Sequence, residues 1–164
     1  HEKFSGKKLK YFDEENREKY VPYVIETSIG ASRTTMACLA DAYYEEEVKG
    51  DTRVVMRFHP RIAPMKVAVL PLVKRDGMPE LAGEVTENLR RYFRVIYDDG
   101  GAIGRRYRRM DEVGTPFCVT IDSESLENAT VTVRDRDTMD QQRVPLEALR
   151  SHIEDSTESW SLGS

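Results

Sequence analysis

A carboxylate and a hydroxyl, two residues apart, precede a glycine and an arginine in the segment YVPYVIETSIGASR. If this segment is a strand, Glu26 and Ser28 point to the same side, because alternate side chains of a strand share a face. A carboxylate beside a hydroxyl suits a ligand with an ammonium group. Gly30 allows a sharp turn, and Arg33 would then lie near a helix N-terminus, where a guanidinium and backbone donors favour a phosphate. The segment therefore indicates an ammonium pocket beside a polyphosphate pocket, and the alternative is a set of ordinary capping, turn and surface residues.

Arginines are concentrated in two later motifs, GRRYRR and RDRDTMDQQR, which fall on a predicted helix and near a predicted strand end. Arginine contacts RNA phosphates, and Asp, Gln and Arg can pair with the edges of unstacked bases. The alternatives are a solvated helix face paired with nearby acidic residues, and ion pairs between strands in the alternating RDRD. The candidate nucleic-acid contacts are Arg105, Arg106, Arg134, Arg136, Gln141 and Arg143.

Histidine and cysteine point to no metal site in this chain. His59 precedes Pro60 and has no Cys, Asp or Glu partner at a suggestive spacing, so a structural role is expected. Cys38 and Cys118 lie in apolar segments without metal-ligand spacing, and they are predicted to be free buried thiols.

Composition restricts the class of protein. The 164 residues are 39% hydrophobic and 33% charged, which fits one ordinary domain or a small domain with part of another. The formal net charge of -4 argues against a protein that binds nucleic acid by overall charge, although local basic patches remain available. Because we find no long apolar run and no signal-peptide pattern, a cytoplasmic protein without a membrane contact is the default expectation.

Hydrophobic periodicity predicts the elements that position these residues. A strand over residues 21–28 precedes a helix over residues 34–47, and RVVMRF predicts a strand before a domain boundary near residue 60. Beyond it, MKVAVLPLV, FRVIYDD, TPFCVTID and ATVTVRDRD predict four strands, and QQRVPL predicts a short fifth. Helices are predicted at the apolar stripe of residues 81–92, at the arginine motif and at LEALRSHI. The alternation predicts an α/β fold with a mixed β-sheet flanked by helices.

Several long blocks resemble the glycyl-tRNA synthetase family of class II aminoacyl-tRNA synthetases. YVPYVIETSIGASR and the following helix resemble the third signature motif. RFHPRIAPMKVAVLPLVKRD, YDDGGAIGRRYRRMDEVGTPFCVTID and TVTVRDRDTMDQQRV resemble the C-terminal anticodon-binding domain. The resemblance covers the chain apart from its Ser-rich tail. It implies that residues 1–60 are a strand–helix piece of the antiparallel-sheet catalytic domain and that residues 61–164 are the anticodon-binding domain.

The resemblance also implies roles for matching positions. Glu26 and Ser28 match residues that contact glycine, and Arg33 matches a catalytic arginine that holds the ATP phosphates, with Gly30 in the same ATP-binding turn. The implied reaction is ATP-dependent attachment of glycine to glycine tRNA through glycyl-adenylate, with Mg²⁺ accompanying ATP. A homodimer is expected through an upstream catalytic region that carries the first two motifs, and this chain alone is expected to be inactive. Ser32 stands where the family usually has an acidic residue.

Two other functions remain open at this point. A synthetase-like accessory module of a nucleic-acid enzyme would keep the anticodon-binding fold without catalysis, but it would have no need for Glu26, Ser28 and Arg33. A flavodoxin-like nucleotide binder is the weaker alternative, because no Gly-rich phosphate loop follows the first strand of the second part.

Overall fold

The computed structural model describes residues 1–161, and the chain divides into two compact units, His1–Thr34 and a second one that begins at Thr35. The first unit contains a short helix α1 (Glu2–Ser5) and an antiparallel hairpin of β1 (Tyr11–Asp13) and β2 (Glu18–Tyr20). None of the helices in the described residues is long and apolar enough to cross a bilayer.

The strand predicted for residues 21–28 is absent, because residues 21–30 contain neither helix nor strand. A strand is defined by hydrogen bonds to a neighbour, and no described segment pairs with this one. Two of its apolar side chains are fully exposed, with Tyr23 at 103% and Ile25 at 97% relative exposure. The apolar alternation that predicted a strand therefore does not bury these side chains against any of the residues that the structure describes.

Helix α2 (Ala31–Ala42) ends earlier than the helix predicted over residues 34–47. The next residues form β3 (Tyr43–Val48), which pairs with β4 (Asp51–Met56) in an antiparallel hairpin. Lys49 and Gly50 connect these strands with positive φ angles of 54° and 86°, as a tight hairpin turn requires. The predicted helix was wrong after residue 42, because cross-strand pairing with β4 outweighs the helical spacing of the apolar residues.

The rest of the second unit alternates strands and helices. Its elements are β5 (Val67–Pro71), α3 (Met78–Leu89), β6 (Val95–Tyr97), α4 (Ile103–Val113), β7 (Phe117–Ile121), α5 (Ser123–Asn128), β8 (Thr130–Asp135), β9 (Gln141–Pro145) and α6 (Leu149–Glu158). The strands form one sheet in the order β6–β5–β7–β8–β9, in which β6, β5 and β7 are parallel and β8 and β9 are antiparallel to their neighbours. The mixed sheet flanked by helices is the predicted architecture.

Helices cover the two faces of this sheet unequally. On one face, α3 and α6 pack on a core that includes Val69, Val119 and Val133. On the other face, α4 packs through Met110 on Ala68, Leu70 and Cys118 of β5 and β7. β8 therefore contributes its valines to the first face and Thr130, Thr132 and Arg134 to the second, whereas β9 places Gln142 together with Val144 on the first face.

The β3–β4 hairpin belongs to the second unit. Arg53 on β4 forms a buried ion pair with Asp111 on α4 and donates a hydrogen bond to the main-chain oxygen of Arg136. The predicted domain boundary at residue 60 thus lies within a compact unit and does not coincide with the division at Thr34 and Thr35. The assignment of residues 1–60 to a catalytic domain stays a prediction.

Candidate nucleic-acid interface

The α4 side of the sheet is polar and partly exposed at β8 and β9. The strand register places Thr132 opposite Arg143 and Thr130 opposite Pro145, so Thr130, Thr132 and Arg143 project on the same side as Gln141. Thr130, Thr132 and Arg143 are half-buried, and Gln141 is exposed on the edge strand. We call these four residues the open face.

Arg143 organises the open face. Its guanidinium donates to the hydroxyl oxygens of Thr130, at 2.9 Å, and Thr132, at 2.8 Å. It also pairs with both carboxylate oxygens of Asp122, at 2.7 and 2.8 Å. Hydrogen bonding to Arg143 lowers the pKa of Asp122 to about 2, and the same pairing raises the pKa of Arg143. The face therefore carries a rigid pattern of donors and acceptors and not a mobile arginine.

Arg134 lies at the inner border of the open face, opposite Gln141, with 5% relative exposure. Its guanidinium pairs with Asp111 at 2.8 and 3.2 Å and lies 4.9 Å from the centre of the Tyr107 ring. Asp111, at 0% exposure, also accepts a hydrogen bond of 2.8 Å from Arg53. Two guanidinium groups from different strands thus share one buried carboxylate, and Arg134 supports the face from below.

Arg106 and Arg136, two of the predicted tRNA contacts, are buried and bonded internally. Arg106 donates to the main-chain oxygens of Pro71, at 2.6 Å, and Leu72, at 3.2 Å, where β5 ends. Arg136 pairs with Asp137 and donates to the main-chain oxygen of Gly114, at 3.0 Å. A direct contact of either guanidinium with RNA would require this structure to rearrange, because no phosphate or base can reach them here. Charge pattern alone could not reveal this burial.

Arg105 and Gln141 are the two predicted contacts that are exposed. Arg105 lies in the first turn of α4, and Gln141 begins β9. Sequence reasoning missed the hydroxyls of Thr130 and Thr132, although the alternation in ATVTVRD already places them on the side of Arg134. It also missed Tyr107, whose hydroxyl lies 2.7 Å from Oγ1 of Thr120 next to the open face.

The residues predicted to bind glycine and ATP lie in the first unit. Glu26, Ser28 and Gly30 fall in the segment without helix or strand, and Arg33 lies in the first turn of α2. All four are exposed, and within residues 1–161 we find no hydrogen bond or ion pair that holds the side chains of Glu26, Ser28 or Arg33. A pocket for an ammonium group or a polyphosphate therefore needs further residues from outside this unit. No cluster of three His, Cys, Asp or Glu residues suited to a metal ion occurs in the described residues.

His59 has structural contacts. Its Nδ1 accepts a hydrogen bond of 3.1 Å from the main-chain N–H of Arg61, and its ring packs 4.7 Å from the ring of Trp160. Asp137 accepts a hydrogen bond of 2.9 Å from the Trp160 indole, which fixes the ring against His59.

Comparison with known proteins shows the family to which this domain belongs. Residues 66–156 match a family described as an anticodon binding domain. The chain is 54% identical over 156 residues to a glycine–tRNA ligase of Borrelia hermsii, covering 93% of the chain and 35% of that protein. It is 52% identical over 166 residues to the glycine–tRNA ligase of Treponema denticola, covering 98% of the chain and 37% of that protein. The chain thus spans about a third of the length of these curated relatives.

Solved structures confirm the fold class. A prolyl-tRNA synthetase from Cryptosporidium parvum matches with a TM-score of 0.57 at 25% identity, covering 64% of this chain and 22% of the other. The RNA binding domain of threonyl-tRNA synthetase from Cryptosporidium parvum Iowa II matches with a TM-score of 0.51 at 25% identity, covering 56% of this chain and 23% of the other.

Proposed function

Because this chain belongs to the anticodon-binding domain family, we propose that it is the part of a glycine–tRNA ligase that reads the anticodon of glycine tRNA. The names of the relatives, at 52–54% identity, support glycine tRNA as the partner. The observation that carries the proposal is the open face. It is polar and partly exposed at β8 and β9, whereas α4 covers the same side of the sheet at β5 and β7.

The chemistry of the open face suits single-stranded RNA. The hydroxyls of Thr130 and Thr132 accept hydrogen bonds from Arg143 and can still donate their own hydrogen to a base. The amide of Gln141 offers both donors and an acceptor, so it can pair with two atoms of one base edge. Anticodon bases can splay out of the loop, which is the form in which proteins read RNA sequence.

Phosphate contacts come from α4 in this proposal. Arg105 is exposed in the first turn of α4, whereas Arg109, one turn further along the helix, is held by Asp98 at 2.6 and 3.1 Å. Because the net charge of the chain is -4, affinity depends on a few local contacts and decreases as salt concentration rises.

The complete ligase activity belongs to the longer protein in this proposal. Glu26 and Ser28 would bind the ammonium group of glycine, and Arg33, with Gly30, would hold the phosphates of ATP. Mg²⁺ would supply charge neutralisation at those phosphates. A homodimer formed by the upstream catalytic region and a location in the cytoplasm complete this proposal. The residue matches in the third signature motif support it, and we expect the 164-residue chain alone to show no glycine-dependent exchange of pyrophosphate into ATP.

A binding series with three variants tests anticodon reading. The 164-residue chain is titrated with a glycine-tRNA transcript and with the same transcript carrying a substituted anticodon, at two salt concentrations. Gln141→Ala should reduce the ratio of the two affinities, because a good base contact contributes roughly 1–3 kcal/mol. Gln142→Ala is the matched control, since Gln142 is exposed on the same strand but projects from the opposite face.

Arg105→Ala distinguishes phosphate contacts from base contacts. It should weaken the binding of both transcripts equally and reduce the dependence of affinity on salt concentration. Equal affinity of the unmodified chain for both transcripts at either salt concentration would remove anticodon reading, and the non-catalytic accessory module would then be the better hypothesis.

A further inference from the structure

Helix α4 contains a glycine, Gly104, for which residues 1–161 provide no steric or conformational reason. Gly104 follows the first residue of the helix, and glycine stabilises a helix less than alanine does. Gly104 does not have a positive φ angle, and a Cβ atom built on it meets nothing within 4 Å among the described residues. Gly114, at the end of the same helix, is different, because it has a φ of 80° and a Cβ there would lie 2.5 Å from a ring carbon of Phe58.

Helical spacing places Gly104 on the side of α4 that faces the open face. Tyr107 follows it by three residues, and its hydroxyl contacts Thr120 on β7. Asp111 follows Tyr107 by four residues and pairs with Arg134 on β8. Gly104 therefore continues the stripe that borders β7 and β8, one turn nearer to the start of the helix, where it is exposed.

We propose that Gly104 keeps the backbone of α4 bare so that the sugar–phosphate chain of the anticodon loop can pass against it while the bases reach the open face. The absence of a side chain is one of the ways in which proteins let a ligand approach their backbone closely. Arg105, which follows Gly104 in the sequence and is exposed, adds a positive charge for the phosphates of the RNA backbone. This inference rests on the proposed function and adds to it a residue that determines how closely the RNA backbone can approach α4.

The test compares two helical glycines that differ in location. Gly83, inside α3, also lacks a positive φ angle, and a Cβ there likewise meets nothing within 4 Å, but α3 packs on the opposite face of the sheet. Gly104 and Gly83 are each replaced by Ala and by Gln in the 164-residue chain. For each variant, the dissociation constant for the glycine-tRNA transcript and the midpoint of urea unfolding are measured.

The inference predicts opposite effects on folding and on binding at Gly104 only. Gly104→Ala and Gly83→Ala should both raise the unfolding midpoint, because alanine is the better helix former. Gly104→Gln should raise the dissociation constant at least about tenfold, by overpacking the interface, and Gly104→Ala should raise it to a lesser extent. The Gly83 variants should bind as the unmodified chain does. A loss of binding that a mere structural defect caused would come with a lowered midpoint.

Two results would overturn the inference, and they differ in what they leave standing. Wild-type affinity of Gly104→Gln, in a chain that still discriminates the substituted anticodon, removes the role of Gly104 and keeps the proposed function. No anticodon discrimination by the unmodified chain removes the proposed function, and the role of Gly104 with it.

Discussion

Replacing Asp111 by asparagine should destabilise the second unit strongly. Asp111 is fully buried and accepts hydrogen bonds from Arg53 and from Arg134 at 2.8 to 3.2 Å. The side chain of Arg53 is completely buried, and it has a second anionic partner in Glu46, whose side chain is partly exposed. The substitution keeps the shape of the side chain but removes the negative charge that two buried guanidinium groups share.

The size of the effect follows from this burial. Removing one partner of a buried ion pair leaves an uncompensated charge and costs about 3–5 kcal/mol. Because the free energy of unfolding of an ordinary domain is about 5–15 kcal/mol, Asp111→Asn should remove a large fraction of the stability. The β3–β4 hairpin and the inner border of the open face should both loosen, since each is tied to the same carboxylate.

Urea unfolding of the 164-residue chain measures this effect. Glu87→Gln is the control, because Glu87 forms an exposed ion pair with Arg90 and its loss should change the free energy of unfolding by about 0–1 kcal/mol. Arg53→Met in the background of Asp111→Asn should cost less than Arg53→Met alone, since the two residues interact directly. A loss below about 1 kcal/mol for Asp111→Asn would refute the view that this carboxylate holds the hairpin to the sheet.

Three further predictions concern single positions. Gly114→Ala should lower the free energy of unfolding in urea by about 2 kcal/mol or more. Gly101→Ala should lower it less, because Gly101 has a similar φ of 83° but open space around it. Equal losses would show that the clash at Gly114 is unimportant. The pKa of Asp122 is lowered from 3.8 to about 2, so this residue contributes stability that is fully present above pH 3.8 and is lost as pH falls through 2. Asp122→Asn should therefore reduce the dependence of the free energy of unfolding on pH in that range. An unchanged pH dependence would contradict the pairing of Asp122 with Arg143. Burial raises the pKa of Cys118 to about 12, so a thiol reagent should modify the half-buried Cys38 first and Cys118 only on unfolding, and simultaneous reaction in the native state would contradict its burial.

The sheet of the second unit was predictable because its strands are continuous apolar runs. β5 and β7 are buried along their whole length, and such runs have no other stable place in a domain of this size. The short helix α5 was not predicted, since its signal is only a capping box of Asp122 and Ser125. The strand predicted before α2 was wrong for a different reason, because no strand among the described residues pairs with that segment.

The roles of the candidate site residues stay predictions, and the sequence did not predict which of their side chains are accessible. The arginine motifs did mark the strands and helix that border the open face. Charge patterns cannot show which guanidinium groups are buried, and Arg106, Arg134 and Arg136 are bonded to Asp111, Asp137 and main-chain oxygens. Asp137 directly follows Arg136, but Asp111 and the main-chain oxygens of Pro71 and Gly114 are distant in sequence from the arginines they bind, so only the packed sheet brings them together.

The most direct test of the central claim is a map of backbone amide chemical shifts in the ¹⁵N-labelled chain as an anticodon stem–loop of glycine tRNA is added. Our account predicts the largest changes along β8 and β9, at Thr132, Gln141 and Arg143, and in the first turn of α4. A stem–loop with a substituted anticodon should produce smaller changes on the strands and similar ones on the helix. Changes confined to α3 and α6, on the opposite face of the sheet, would contradict the account.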